Sequence, residues 1–272
     1  MRGPIVVGTD FRAQADRAID RALQLGQDHG VEVIAVHARD PGDEDAPSED
    51  ELERRMRAVL PHPDAPVAFR FPAGEADEAI NEVAREVGAS LIVLGVARYN
   101  DVKDYFLGTA VDRIIRETPV PVLVVKNRPQ GPYRRIFTPS DFHPPSRIAL
   151  EHSADLFPKC ALGVVHAFHV PFEGWQKAEY VRDDTRQAEQ RVFDEFMQEL
   201  RPETRDRVTQ HLLYGNLQAV LSSALEDPQR DLVVIGTHGE SGLRHATIGG
   251  TASELLRTIP ADTLVVTAPA EG

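Results

Sequence analysis

Short apolar runs alternate along this chain with longer segments in which apolar residues recur every three or four positions. Continuous apolar runs separated by helical segments are typical of a parallel sheet that is covered by helices on both faces. The pattern therefore predicts a unit of strands with helices between them, and it predicts this unit twice. The predicted strands are residues 5–8, 31–37, 67–71, 91–94 and 122–125 in the first half, and 135–138, 161–168, 208–213, 232–235 and 263–266 in the second.

Glycine-bearing loops indicate that the two halves are copies of each other. In the second half, the sequence GTHG at positions 236–239 follows a predicted strand, and GGT at 249–251 comes nine residues later. In the first half, GVAR at 95–98 and GT at 108–109 have the same spacing. This is the signature of an internal duplication. The second half carries extra material around residues 171–184, which include the single tryptophan, Trp175.

The length and the linker composition indicate two domains. A chain of 272 residues exceeds the usual size of one domain, and each half is long enough to bury its own core. We expect domain 1 at residues 1–126, a Pro- and Gly-bearing linker at 127–134, and domain 2 at 135–272. Right-handed crossovers predict a doubly wound α/β fold with strand order 3-2-1-4-5 in each half. Ligands of such sheets bind beyond the carboxyl ends of the first and fourth strands.

Charge and composition exclude several classes of function. The net charge of −13 argues against a nucleic-acid partner, because phosphate binding requires clustered Lys and Arg. The chain shows neither a signal-peptide pattern nor an apolar run near the ~20 residues of a membrane span, so we expect a cytoplasmic protein with no membrane partner. The acidic stretch at residues 40–51 fits a solvated helix start better than a metal site, and we predict no metal site. The single cysteine, Cys160, excludes an internal disulfide and is expected to be buried.

The repeated loops resemble those of the universal stress protein family, whose ATP-binding members carry G-x2-G-x9-G-(S/T) at this place. An Asp after the first strand, at Asp10 and Asp141, and a His near the end of the second, at His37 and His166, are also similar to that family. Near the end of each half, a predicted strand that contains the sequence LVV follows a proline. The match covers nearly the whole chain and implies a tandem universal stress protein with ATP as its cofactor, and with Mg²⁺ held through the phosphates.

The resemblance also implies a binding site in the second half. The adenine and ribose would meet Pro139, Ser140, Asp141, Ala167, Ile235 and Gly236, and the phosphates would meet Gly239, Gly249, Gly250 and Thr251. We expect His238 to stabilise the loop or to lie beside the phosphates, and we predict no catalytic residue. Gly250 stands where the family usually has Ser or Thr, so a hydroxyl donor is missing that Thr251 would replace in part.

The first half keeps a weaker version of the site, formed by Thr9, Asp10, Gly95, Arg98, Gly108 and Thr109. Arg98 replaces the second glycine of the loop, and two interpretations are open. Its Cβ would stand where the backbone approaches phosphate, which would close the site, or its guanidinium would fold over the phosphates and bind them with two hydrogen bonds. Because the steric objection applies in every pose, we favour the closed site and expect nucleotide mainly in the second half.

Three hypotheses for the function remain open. The first is a regulatory stress-response protein that holds ATP and reports its nucleotide state to protein partners, whose identity the sequence does not reveal. The second is an enzyme, a slow ATPase or nucleotidyl transferase. The sequence disfavours it because no carboxylate lies beside the phosphate loop to orient a water molecule. The third is a scaffold that binds no nucleotide and uses the glycines for loop geometry alone.

The fifth strand of each half predicts how the halves associate. In the order 3-2-1-4-5 this strand lies at an edge of the sheet, and an apolar edge with unpaired backbone groups must be covered. We expect the two fifth strands, residues 122–125 and 263–266, to pair within the chain and form a pseudo-dimer. A further homodimer would then use other surfaces, such as the segment around Trp175.

Overall fold

The computed structural model describes residues 1–11, 13–42, 46–96, 98–99, 105–106, 108–169, 178–238 and 248–268. Strands and helices alternate through both halves, as the apolar pattern predicts. In the first half the elements are β1 (Ile5–Gly8), α1 (Ala13–His29), β2 (Val33–Val36), α2 (Glu49–Val59), β3 (Val67–Arg70), α3 (Ala76–Glu86), β4 (Leu91–Gly95), β5 (Arg98–Tyr99), β6 (Tyr105–Phe106), α4 (Thr109–Glu117) and β7 (Val122–Val125). In the second half they are β8 (Arg135–Pro139), α5 (Pro144–Leu156), β9 (Ala161–Phe168), α6 (Ala178–Glu199), α7 (Pro202–Arg205), β10 (Val208–Tyr214), α8 (Leu217–Ala224), β11 (Asp231–His238), α9 (Gly250–Thr258) and β12 (Asp262–Ala268).

The main strands of both halves form one continuous sheet. Within the described residues it has ten strands in the order β10-β9-β8-β11-β12-β7-β4-β1-β2-β3. Each half therefore has the predicted order 3-2-1-4-5, and its strands pair in parallel. The halves meet where β12 pairs antiparallel with β7, with Leu264 opposite Leu123. The predicted fold class and the pseudo-dimer are confirmed.

Helices cover both faces of the sheet and bury two apolar layers. Successive strand residues point to opposite faces, so Val7 contributes to one layer and Val6 to the other, and both are fully buried. Apolar residues are required on both sides, which is why the strands are continuous apolar runs. Cys160 is buried as expected, and burial raises the pKa of its thiol to about 11. None of the described helices is both long enough and apolar enough to cross a membrane.

The structure differs from the sequence prediction in some details. β2 is shorter than predicted, whereas β11 and β12 extend further at their ends. The two-residue strands β5 and β6 pair antiparallel in a small ribbon that no periodicity could have revealed. In the predicted insertion, residues 171–177, with Trp175, lie outside the described residues, and residues 178–184 begin α6. Because α6 has 22 residues and α2 has 11, much of the added length is helical.

A buried polar network holds the segment between β7 and β8 against the second half. The carboxylate of Asp262 accepts hydrogen bonds from the backbone N–H groups of Lys126 and Asn127, at 2.8 and 3.0 Å. It also accepts the phenol proton of Tyr133 at 2.6 Å, and the Arg21 guanidinium lies 3.4 Å away. Asp262 and Arg21 are fully buried. Burying such a charged pair costs free energy unless the two groups also form hydrogen bonds.

Candidate functional site

The second half contains a cavity of about 360 Å³ at the carboxyl ends of β8 and β11. This is the place where the winding of the sheet reverses, as expected for a doubly wound fold. Of the predicted site residues, the cavity is lined by Pro139, Ser140, Asp141, Ala167, Ile235, Gly236, Gly249, Gly250 and Thr251. His238 ends β11, although its side chain lies outside the described part of the structure, and Gly239 is also outside it. The residues that the sequence missed are His143, Pro145, Ser146, His166, Leu217, Thr237, Ala252 and Leu255.

A tight turn after β8 forms one wall of the cavity. Phe142 has a φ of 67°, a left-handed conformation that is rare for a bulky residue. Its backbone N–H donates to Ser140 Oγ at 2.9 Å, and His143 N–H donates to Asp141 Oδ1 at 3.2 Å. Ser140 Oγ also lies 2.7 Å from Ser146 Oγ on α5. These bonds hold the backbone in its strained conformation, and Asp141 is exposed and lines the cavity.

The same turn occurs in the first half, which explains why the Asp-Phe and His positions are repeated in the sequence. Phe11 has a φ of 59° and lies edge-on to His37, with 4.3 Å between the ring centroids. The corresponding rings of Phe142 and His166 are stacked at 4.2 Å. In both halves Nδ1 of the His donates to the backbone carbonyl two residues before the Phe, at 3.0 Å in the first and 2.8 Å in the second. The His residues therefore fix the shape of the turn.

His166 also connects the site of the second half to α6. Its Nε2 lies 3.3 Å from Glu189 Oε2, and the side chains are only partly exposed. Phe142 packs against Phe193 of the same helix, with 5.0 Å between the ring centroids. The long helix α6 is thus attached to the wall of the cavity by a polar and an aromatic contact.

The glycines of the site have different structural roles. A Cβ added to Gly236 would lie 2.1 Å from the backbone oxygen of Pro145, so this glycine permits the start of α5 to pack against β11. Among the described residues, a Cβ added to Gly249 or Gly250 would meet nothing within 4 Å. The backbone φ of Gly249 is −53°, which other residues adopt easily. Neither packing nor backbone strain requires glycine at these positions, and the space in front of them belongs to the cavity.

The start of α9 forms another part of the cavity wall. Gly249 is the N-cap and Gly250 the first helical residue, so the unpaired N–H groups of the first turn lie beside the open space. Such a terminus favours an anion through its N–H groups and the helix dipole. Among the described lining residues there is no Lys or Arg, and the single carboxylate is that of Asp141. No group of three possible metal ligands occurs among the described residues.

The corresponding cavity of the first half is smaller, at about 210 Å³. It brings together five of the predicted weaker residues, namely Thr9, Asp10, Gly95, Gly108 and Thr109. Gly108 caps α4 with a φ of 85°, so here the backbone itself requires glycine. Arg98 begins β5, but its side chain lies outside the described part of the structure. The two interpretations of Arg98 therefore stay predictions.

Comparison with known proteins identifies the family. The model of the universal stress protein family matches residues 1–126 and again residues 132–267. A universal stress protein of Thermus aquaticus, encoded in the QAH/OAS sulfhydrylase 3′ region, is 31% identical over 137 residues, which are 45% of this chain and 97% of that protein. The crystal structure of a universal stress protein from Archaeoglobus fulgidus DSM 4304 is 17% identical, covers 98% of this chain and 99% of its own, and has a TM-score of 0.65. A putative universal stress protein from Pseudomonas aeruginosa UCBPP-PA14 is 20% identical, covers 98% and 93% of the two chains, and has a TM-score of 0.66. This chain belongs to the universal stress protein family and carries the family's domain twice in tandem.

Proposed function

We propose that this protein binds one adenine nucleotide, chiefly ATP, in its second half and acts as a regulatory stress-response protein. The observation that carries the proposal is the open space in front of Gly249 and Gly250 at the start of α9. These glycines admit a ligand to the unpaired N–H groups of the helix, which is the chemistry that phosphate requires. The adenine and ribose would lie toward Ser140, Asp141 and Ala167, and Mg²⁺ would be held through the phosphates.

The cavity volumes support binding in the second half. Pockets for small molecules and cofactors are typically about 300–1,000 Å³. The cavity of the second half, about 360 Å³, reaches this range, whereas that of the first half, about 210 Å³, does not. We therefore place the nucleotide mainly in the second half.

The charged groups favour binding over hydrolysis. Among the described lining residues, the one carboxylate is that of Asp141, which follows β8 and is not part of α9. A hydrolase needs a group that orients the attacking water beside the terminal phosphate. The described part of the site offers none, so we assign the protein a regulatory role in which it holds nucleotide without rapid turnover.

Titration calorimetry with Mg-ATP tests this proposal. Wild-type protein should bind one ATP per chain. The variant Gly249→Val fills the open space with a branched side chain and should weaken binding at least tenfold, which is about 1.4 kcal/mol. The matched control is Thr109→Val at the start of α4, which changes the cavity of the first half and should leave binding unchanged.

Three other results of these measurements would contradict this proposal or support one of the alternative functions. Equal binding by Gly249→Val and wild type would contradict the placement of the phosphates. A protein that neither binds ATP nor retains nucleotide after gentle purification would be a scaffold. Steady release of phosphate from bound ATP, abolished by Gly249→Val, would make it a slow ATPase.

A further inference from the structure

The two outer edges of the ten-stranded sheet differ in how they are protected. Native proteins protect edge strands by making them short or by adding charged residues and proline, because an exposed edge pairs with other chains. β3 fits this rule: it has four residues, ends in Arg70, and has Pro66 and Pro72 on either side. β10, at the opposite edge, has seven residues and contains no Lys, Arg, Asp, Glu or Pro.

The backbone of β10 presents hydrogen-bonding groups to the outside of the sheet. Gly215, the residue after the strand, donates its N–H inward to Phe168 O of β9 at 3.1 Å. Since the backbone groups of successive strand residues point to opposite edges, those of Gln210 and Leu212 point outward. Among the described residues, no strand pairs with this side of β10.

Beside this edge, α8 covers one face of the sheet only in part. α8 has eight residues, whereas α3, its counterpart in the first half, has 11. Thr209, His211 and Leu213 of β10 line a cavity of about 400 Å³ on the face that α8 covers. Leu213 is 37% exposed, one of the few large apolar side chains so exposed in the described part of the chain. The cavity therefore adds an accessible surface beside the open backbone of β10 against which another chain could pack.

Charge and symmetry favour a second copy of this chain as the partner. Two copies that each carry a charge of −13 repel one another over most surfaces, but β10 has no formally charged residue. Burial, with a further contribution from Arg135, lowers the pKa of His211, which disfavours a positive charge on its ring. The chain already pairs two like strands in antiparallel fashion at β7 and β12.

We propose that two copies of this protein pair along β10, antiparallel and centred on His211, to form one continuous sheet. This register places Thr209 opposite Leu213 of the second copy, and Gln210 opposite Leu212. The outward backbone groups of Gln210 and Leu212 then bond across the interface as antiparallel pairs do. Leu213 of the second copy comes to lie beside the open cavity. The interface is separate from the nucleotide site and independent of it.

A cysteine at the proposed two-fold axis tests the register. In His211→Cys the two new thiols would face each other, because directly opposed residues of an antiparallel pair have Cα atoms about 4.5–5.5 Å apart, within the range of a disulfide. Mild oxidation should give a covalent dimer on a non-reducing gel. The control is Arg70→Cys at the other edge, which should stay monomeric. Cys160 is buried and is common to both variants. Equal cross-linking of both variants, or of neither, would overturn the proposal.

Sedimentation velocity tests the interface without a cross-link. Wild-type protein should sediment as a dimer at high concentration. The double variant Thr209→Lys with Leu213→Lys places lysines at the edge and should lose the dimer, whereas the control Ser222→Lys, on the exposed side of α8, should keep it. A double variant that remains dimeric rejects this interface. A wild-type protein that is monomeric at every concentration also rejects this interface. In that case β10 would be available to pair with a strand from a different protein.

Discussion

Gly236, on one side, and Gly249 and Gly250, on the other, show how residues of one type have different structural roles around one cavity. A sequence motif presents Gly236, Gly249 and Gly250 as equivalent, although only Gly236 is enclosed by backbone atoms of α5. Which glycine serves packing and which opens onto a cavity depends on a neighbour far away in the chain. For this reason the sequence motif groups these glycines but does not predict their separate structural roles. The repeated Asp-Phe pair was a usable signal for the strained turn, because an aromatic residue at the same place in both halves needs a structural reason.

The open space at Gly250 leads to a prediction about affinity. Gly250→Ser adds a hydroxyl where no described residue lies within 4 Å of the new Cβ, so the substitution should not disturb the fold. The hydroxyl would supply a donor to a phosphate at the start of α9. ATP binding should become stronger by up to one hydrogen bond to a charged group, roughly 1.5 to 3 kcal/mol. Titration calorimetry measures this change.

The control for this prediction is Gly236→Ser, whose Cβ would meet the Pro145 oxygen at 2.1 Å. That variant should lose thermal stability because α5 must move away from β11. If Gly250→Ser leaves the dissociation constant for ATP unchanged or raises it, the phosphates do not reach the start of α9.

At the scale of elements, the sequence predicted the strands of the main sheet well. Each is a continuous apolar run because both faces are buried, and this requirement leaves a direct trace in the sequence. The ribbon of β5 and β6 left no trace, since two residues are too few to show a period. The apolar pattern does not predict the length of α6 or the shortness of α8, because helix limits are set by caps and by tertiary packing.

The segment that follows β7 contains a buried lysine with a predictable effect on stability. Lys126 is 1% exposed, and its Nζ donates to Ile259 O at 2.8 Å. Burial lowers the pKa of its ammonium group from 10.5 to about 7. Between about pH 7 and pH 10.5, Lys126 binds more protons in the unfolded chain than in the folded chain. The free energy of unfolding should therefore rise with pH in this window. The contribution of Lys126 to this slope is at most about 1.4 kcal/mol per pH unit.

Urea unfolding at pH 7, 8 and 9 tests this prediction. Lys126→Met removes the ionisable group and should show a flatter dependence on pH than wild type. The comparison cancels the titration of Tyr133 and Cys160, which both proteins share. Lys159→Met, at an exposed lysine, should keep the wild-type slope. Equal slopes for wild type and Lys126→Met would mean that Lys126 keeps its proton in the folded state.

At the scale of the whole molecule, the pairing of β7 with β12 unites the two halves. The sequence predicted this contact because each half ends in an apolar strand that its own sheet leaves at an edge. It could not predict the register, which places Leu123 opposite Leu264, since several alignments of such apolar strands bury similar areas. The register also depends on Asp262, whose bonds to the backbone of Lys126 and Asn127 fix where the next segment leaves the strand.

Charged residues in this pairing should separate the halves. Val124 is fully buried and Val265 is 2% exposed, and both belong to one apolar layer. In the double variant Val124→Glu with Val265→Glu, the carboxylates would be buried without partners, which costs far more than leaving them in water. Each half retains its own helices and core, so far-UV circular dichroism should change little. The radius of gyration in solution scattering should rise above the value of about 19 Å expected for a compact chain of this length.

The matched control is the double variant Val124→Thr with Val265→Thr, which keeps the side-chain shape without adding charge and should stay compact. A glutamate variant with the wild-type radius of gyration would show that the pairing does not hold the halves together. A variant that loses its helical signal would contradict the prediction in another way, because the halves would then depend on each other to fold. Separation with retained helix content is expected because the parallel strands and their helices lie within each half.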